Sequence, residues 1–162
     1  MEPSFSIKAS TREETYKLFL PEFAAMIEGE TEEVSVLANA SAALREAFGF
    51  FWSGFYIVKN DILILGPFQG DVACTRIRFG KGVCGTAWQK GETIIVEDVD
   101  KFPGHIACSS KSRSEIVVPL KIGDEVKAVL DIDSDTLSSF NETDKFYLEQ
   151  IATLISKTLY SK

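Results

Sequence analysis

The sequence predicts an α+β domain, with helices at both ends around a mostly antiparallel central sheet. Three observations support this. Helix-period apolar patterns open and close the chain, and short β-rich runs parted by Asn-Asp and Gly-Asp turns fill the middle. The length of 162 residues suits one domain that buries roughly 70% of its unfolded surface. The expected organisation is a single domain over residues 1–162: helices over about 11–48, sheet and active-site loops over about 50–134, and a closing helix over about 141–160.

The first helix is read from "STREETYKLFLPEFAAMIEG". Ser10 or Thr11 supplies the N-cap, and Thr11 to Glu14 has capping-box spacing. Tyr16, Phe19, Leu20, Phe23 and Ile27 fall on one face, with an irregularity expected near Pro21. In "TEEVSVLANASAALREAFG", Thr31 is the expected cap, Val34, Leu37, Ala38, Leu44 and Phe48 form the apolar side, and Gly49 stops the helix. "FFWSGFYIVK" and "ILILGPFQG" then read as a hairpin about Asn60-Asp61, followed by a third extended run, "ACTRIRF". "GKGVCGTAWQKG" is helix-like from about Val83 to Lys90, and its glycines at 80, 82 and 85, like Gly104 beyond it, are expected to permit tight turns or positive φ. After the strand "TIIVEDV" comes a long loop through Pro103 and Cys108, then a hairpin of "SEIVVPLKI" and "EVKAVLDIDS". The last helix starts at Asn141 with Asp144 at N3, and Phe146, Leu148, Ile151, Leu154, Ile155 and Leu159 form its apolar side.

A net charge of −7 argues against nucleic acid or anionic membrane as the partner, since both demand a basic face. No apolar run reaches the length of a membrane span, and no secretory signal is visible, so the expected compartment is the cytoplasm. Three cysteines make a poor disulfide framework, which leaves catalytic, redox or inert buried thiols. With His105 they give C-x9-C and H-x2-C spacings that fit no common zinc finger, so no metal is expected.

Cys108 sits where a structural cysteine is least expected, after a Pro-Gly turn and before a polar run containing Lys111 and Arg113. A thiol of ordinary pKa near 8.5 is only about 3% ionised at pH 7, and nearby positive charge raises that fraction. The last hairpin supplies a second constellation. Placing apolar faces together sets Ile122 opposite Val126 across a three-residue loop, and from there Leu120 meets Ala128, Val117 meets Asp131 and Glu115 meets Asp133. Glu115, Asp131 and Asp133 therefore converge on one face. Like charges placed opposite each other destabilise a sheet, so the reading is either a solvated outer face or a site that needs carboxyl groups. Such a site would bind an ammonium or hold an acid protonated. A thiolate beside a proton-donating acid suits sulfoxide reduction: sulfur attacks sulfur, the oxygen is protonated, and a second cysteine condenses with the resulting sulfenic acid.

"PFQGDVACTRIRFGKGVCGTAW", "VEDVDKFPGHIACSSKSRSEIVVPL" and "VLDIDS" together resemble the free methionine-(R)-sulfoxide reductases, enzymes built on the GAF fold. The resemblance runs from about Leu37 to the C-terminus. It implies reduction of free L-methionine (R)-S-oxide to methionine, with no bound cofactor and with thioredoxin and NADPH as the reducing system. It also implies Cys108 as nucleophile, Cys74 as resolving thiol and Cys84 as an accessory thiol, leaving room for Cys84 to form the disulfide instead. Glu115, Asp131 and Asp133 match the family's acids around the sulfoxide oxygen, and Trp52 and Tyr56 match its aromatic pocket wall. Ser109 stands where the family often has Asp, which puts the behaviour of that loop in question. Related GAF domains often pair, so a homodimer is among the expectations. Two other readings stay open: a GAF ligand-binding or redox-sensing module without turnover, and a peroxide-reducing thiol enzyme.

Overall fold

The computed structural model describes residues 4–106, 108 and 110–161. Helix α1 (Arg12–Ile27) begins at Thr11, whose side chain accepts from the Glu14 N–H, while Glu14 accepts from the Ser10 N–H. Pro21 does not interrupt it, because the helix continues unbroken for 16 residues. Tyr16, Phe19, Phe23 and Ile27 are buried as expected. Helix α2 (Glu33–Phe48) departs from expectation at its start: Glu32, not Thr31, is the N-cap, and no side chain caps it. Its buried stripe is Val36, Leu37, Ala40, Ala43 and Leu44, and Val34 points outward at 66% exposure. Gly49 ends α2 in the left-handed region, its N–H bonded to the Arg45 carbonyl.

The centre is one six-stranded antiparallel sheet, ordered β3-β2-β1-β6-β5-β4. Strands β1 (Trp52–Lys59) and β2 (Ile62–Gln69) join through Asn60-Asp61, both at positive φ, the turn that matches strand twist. The ladder between them is offset at Gly66-Pro67, where proline's missing N–H falls in a bulge. Strand β3 is only Arg76–Arg78, so most of "ACTRIRF" is loop. Helix α3 (Gly82–Lys90) and strand β4 (Ile94–Val96) follow, then a 3₁₀ turn over Val99–Lys101 leading into the long loop.

Strands β5 (Ser114–Ile122) and β6 (Glu125–Ser134) form the last hairpin. Leu120 faces Ala128, Val117 faces Asp131 and Glu115 faces Asp133, the register derived from the apolar pattern. At the tip the expectation fails. Ile122 faces Glu125 across the two-residue turn Gly123-Asp124, and Lys127 is an extra residue that bulges β6. The bulge also turns Val126 to the opposite face from Ala128. Helix α4 (Glu142–Leu159) carries the full capping box of Asn141 and Asp144. Phe146 is outward at 60% exposure, and Tyr147 takes the inner position, stacked on Tyr16 at 5.0 Å.

Two apolar layers result. Helices α1, α2 and α4 cover one face of the sheet, against Phe55, Ile116, Val118, Leu120, Leu130 and Ile132. Asp144, fully buried, ties α1 to α4 through the Tyr16 hydroxyl at 2.6 Å and the Arg12 guanidinium at 3.1 Å. The other face packs under α3 and includes Trp52, Tyr56, Cys84, Val117 and Val129. Period two puts Glu115, Asp131 and Asp133 on that second face.

Candidate active site

Across three strands the sheet lays out two rows. Trp52, Asp133 and Glu115 lie side by side, and next to them Gly54, Asp131 and Val117. Gly54 leaves space beside Asp131, and a Cβ there would strike Phe68 and the Trp52 ring. Helix α3 closes the layer from above and presents Cys84 to the acids. Its close approach depends on Gly85, where a Cβ would run into the Arg78 carbonyl, and on Gly82 at φ +61°. Gly80 and Gly104 also have positive φ, as the loop reading expected.

A small chamber of about 50 Å³ lies between these elements. Trp52, Tyr56, Cys84, His105, Cys108, Glu115, Asp131 and Asp133 all line it. Cys74 is joined to Cys108 by a disulfide with Cα atoms 5.2 Å apart, within ordinary bridging distance. The bond ties the β2–β3 loop to the β4–β5 loop over the chamber. Tyr56 donates its hydroxyl to the Cys74 carbonyl at 3.1 Å, and the Trp52 indole N–H donates to the Asp71 carbonyl at 2.9 Å. Lys111 reaches Asp71 across the two loops at 3.8 Å. Cys84 is a free, buried thiol.

The acids are strongly perturbed. Glu115 and Asp131 are buried; Asp133 keeps part of its surface open but turns its carboxyl into the chamber. Burial is the first cause and pushes Glu115 and Asp133 well above the usual carboxylate range; both aspartates add to it at Glu115, while at Asp133 the charge of Asp131 adds and the hydrogen bond with Glu115 lowers it. Asp131 is raised by the same desolvation, held back by hydrogen bonds from Glu115 and Cys84 and by the charge of His105. Glu115 hydrogen-bonds to both Asp131 and Asp133, and a carboxyl–carboxyl hydrogen bond requires a proton. Burial, then the three acids, push the Cys84 thiol up, so it stays protonated and a poor nucleophile. One atom in this cluster has no hydrogen-bond partner among the described residues: Asp131 Oδ1, fully shielded from solvent. A buried carboxylate oxygen without a donor is costly, and Asp131 is one of the residues that line the chamber.

The comparisons with known proteins point the same way. A GAF domain family model matches residues 30–159. The "GAF domain-containing protein A" of Dictyostelium discoideum is 53% identical over 156 residues, 96% of this chain and 99% of that one. The "Free methionine-R-sulfoxide reductase" of Escherichia coli K12 is 45% identical over 139 residues, 85% of this chain and 84% of that one. The crystal structure of the free methionine-R-sulfoxide reductase of Neisseria meningitidis in complex with its substrate superposes with a TM-score of 0.95 at 50% identity, covering 98% of this chain and 96% of that one. The chain belongs to the free methionine-R-sulfoxide reductase family.

For a member of that reductase family, the structure gathers every site residue named from the sequence. Seven of those eight residues, the two aromatics, two cysteines and three acids, line the chamber directly, as does His105, and Cys74 reaches it through its bond to Cys108. Ser109 lies outside the described residues. Three wall residues had no signal in the sequence. Val72 and Ile106 close the chamber from loops and Ile77 from the edge strand, and as single apolar residues in polar surroundings they look like any other surface or core position. Lys111, expected near the thiol, forms an ion pair with Asp71 of the facing loop. Among the described residues no helix is long and apolar enough to cross a membrane.

Proposed function

We propose that this chain reduces free L-methionine (R)-S-oxide to L-methionine, with Cys108 as the nucleophile and no bound cofactor. The observation that carries the reading is the sharing of one chamber by Cys108 and three carboxyls, of which at least one holds a proton. The Cys108 thiolate attacks the sulfoxide sulfur while an acid of the Glu115–Asp131–Asp133 group protonates the oxygen. The oxygen leaves on Cys108 as a sulfenic acid, and the methionine thioether is released. The Cys74 thiol then attacks Cys108, forms the disulfide and expels water. Thioredoxin's dithiol reduces that bond by exchange, and NADPH restores thioredoxin. Trp52 and Tyr56 supply an apolar wall for the S-methyl group, and a carboxylate left unprotonated faces the substrate ammonium. The relatives named as free methionine-R-sulfoxide reductases, one of them solved with its substrate, support this reading.

The test is NADPH oxidation in a thioredoxin-coupled assay with the two free sulfoxide epimers and a blocked peptide substrate. Turnover of the free R epimer alone is expected, because a chamber of about 50 Å³ leaves little room for a peptide chain. Equal rates on the peptide would overturn the enclosed site. A GAF ligand-binding module would need neither the thiol nor the proton donor. Cys108→Ser separates the two, since a binding module keeps its ligand response and the enzyme loses turnover.

A further inference from the structure

We propose that Cys84, Glu115 and Asp131 form a binding site for one divalent cation of zinc type at the floor of the chamber. The three side chains come from α3, β5 and β6, all are buried, and their ligand atoms lie within 4.8 Å of one another. A bound cation displaces the protons these groups otherwise hold, leaving a thiolate with two carboxylates, a borderline donor set that suits zinc and is poor for calcium or magnesium, whose ligands are oxygen only. A separate observation points to a ligand here. Asp131 is 5% exposed, lines the chamber, and its Oδ1 has no hydrogen-bond partner among the described residues. Three protein ligands with a fourth position facing a cavity is the arrangement of zinc sites that keep an exchangeable ligand. Asp133 and His105 also line the chamber.

The cysteine and histidine spacings in the sequence fit no zinc finger, and this site is not one. Its carboxylates come from the opposed hairpin strands, which a search for paired Cys and His ligands does not see. Cys84 takes no part in the disulfide, so the donor set is intact while Cys74 and Cys108 are bonded. The ligands overlap the acids assigned to the sulfoxide oxygen. Resting on the proposed function, the cation is therefore an inhibitor that excludes substrate, not an aid to turnover.

The experiment uses the oxidised protein, in which Cys84 is the one free thiol, so any thiolate-to-metal signal reports on that residue. Cobalt(II) is titrated in and followed in the visible and near-ultraviolet, then displaced with zinc. The expected result is one cobalt per chain with tetrahedral visible bands and a thiolate charge-transfer band. The charge-transfer band is lost in Cys84→Ser, and cobalt affinity falls at least tenfold in Glu115→Gln. Absence of the charge-transfer band in the wild type, or its survival in Cys84→Ser, overturns the site. If Cys84→Ser does not fold, an unchanged cobalt affinity in Glu115→Gln overturns it as well. The readout involves no turnover, so its failure leaves the proposed reductase activity untouched, and an inactive protein that still binds cobalt leaves the cation site standing.

Discussion

Replacing Glu115 with Gln is expected to cripple turnover while making the folded protein less sensitive to rising pH. Glu115 lies opposite Asp133 on the sheet and hydrogen-bonds to both aspartates, so it is the hub through which the shared proton is held. Its folded pKa is raised by burial first and by the two neighbouring acids next. For a carboxyl raised in this sense the folded state holds protons that the unfolded chain has released. Its contribution is therefore most favourable below the unfolded pKa of about 4.3 and is lost as pH rises toward the folded value. The slope for one fully retained proton is about 1.4 kcal/mol per pH unit, so between about 4.3 and 7 a single such proton costs up to about 3.7 kcal/mol. Glutamine keeps the shape and has no proton to lose. The assay is urea unfolding of the oxidised wild type and variant from pH 5 to 7.5, reading the difference between the two stability curves, with single-turnover methionine formation as the second measurement. The variant is expected to gain on the wild type steadily across that range and to lose about 10²–10⁴ in the chemical step, the usual worth of a positioned general acid. A flat difference curve, or chemistry within threefold of wild type, would refute the buried-proton account.

Three further outcomes follow from the same geometry. After one equivalent of substrate without reductant, mass mapping should find Cys74 bonded to Cys108 and Cys84 free, and Cys84 should resist alkylation until the protein is unfolded, because burial and the acids keep it protonated. Gly85→Ala should destabilise by about 1–3 kcal/mol in thermal unfolding, since the added carbon meets the Arg78 carbonyl and α3 must retreat from the acids. Tyr56→Phe removes the hydrogen bond to the Cys74 carbonyl and should cost about 0.5–1.5 kcal/mol, with a slower formation of the disulfide in rapid-quench alkylation as the sign that the loop has loosened.

The acid cluster was legible because period two and a single buried face leave little freedom: once Leu120 is set opposite Ala128, Glu115 and Asp133 must meet. The hairpin tip was not, because nothing in "KIGDEVK" distinguishes a three-residue loop from a two-residue turn followed by a bulge at Lys127. Helix faces were legible to within one or two residues. Val34 and Phe146 read inward, but Val36 and Tyr147 hold those positions, and the sequence offers an apolar or aromatic residue at each alternative. The Cys74–Cys108 bond spans 34 residues and depends on where two loops end up beside a six-stranded sheet. Local pattern carries no information about that, and only the likeness to a known family favoured Cys74. The unpartnered Asp131 Oδ1 is likewise a property of packing alone.

The extra residue at Lys127 works as a buffer between the far end of the hairpin and its chemical end. Turn geometry normally dictates which residues of two adjoining strands stand abreast, so lengthening a tip by one residue would swap inside for outside along the whole ribbon. Here the offset is absorbed within two residues of the tip, and the pairs from Leu120–Ala128 down to Ser114–Ser134 stay in step. Chains of this architecture can thus vary the Gly123-Asp124 end freely while the carboxyl pair at the opposite end keeps its alignment.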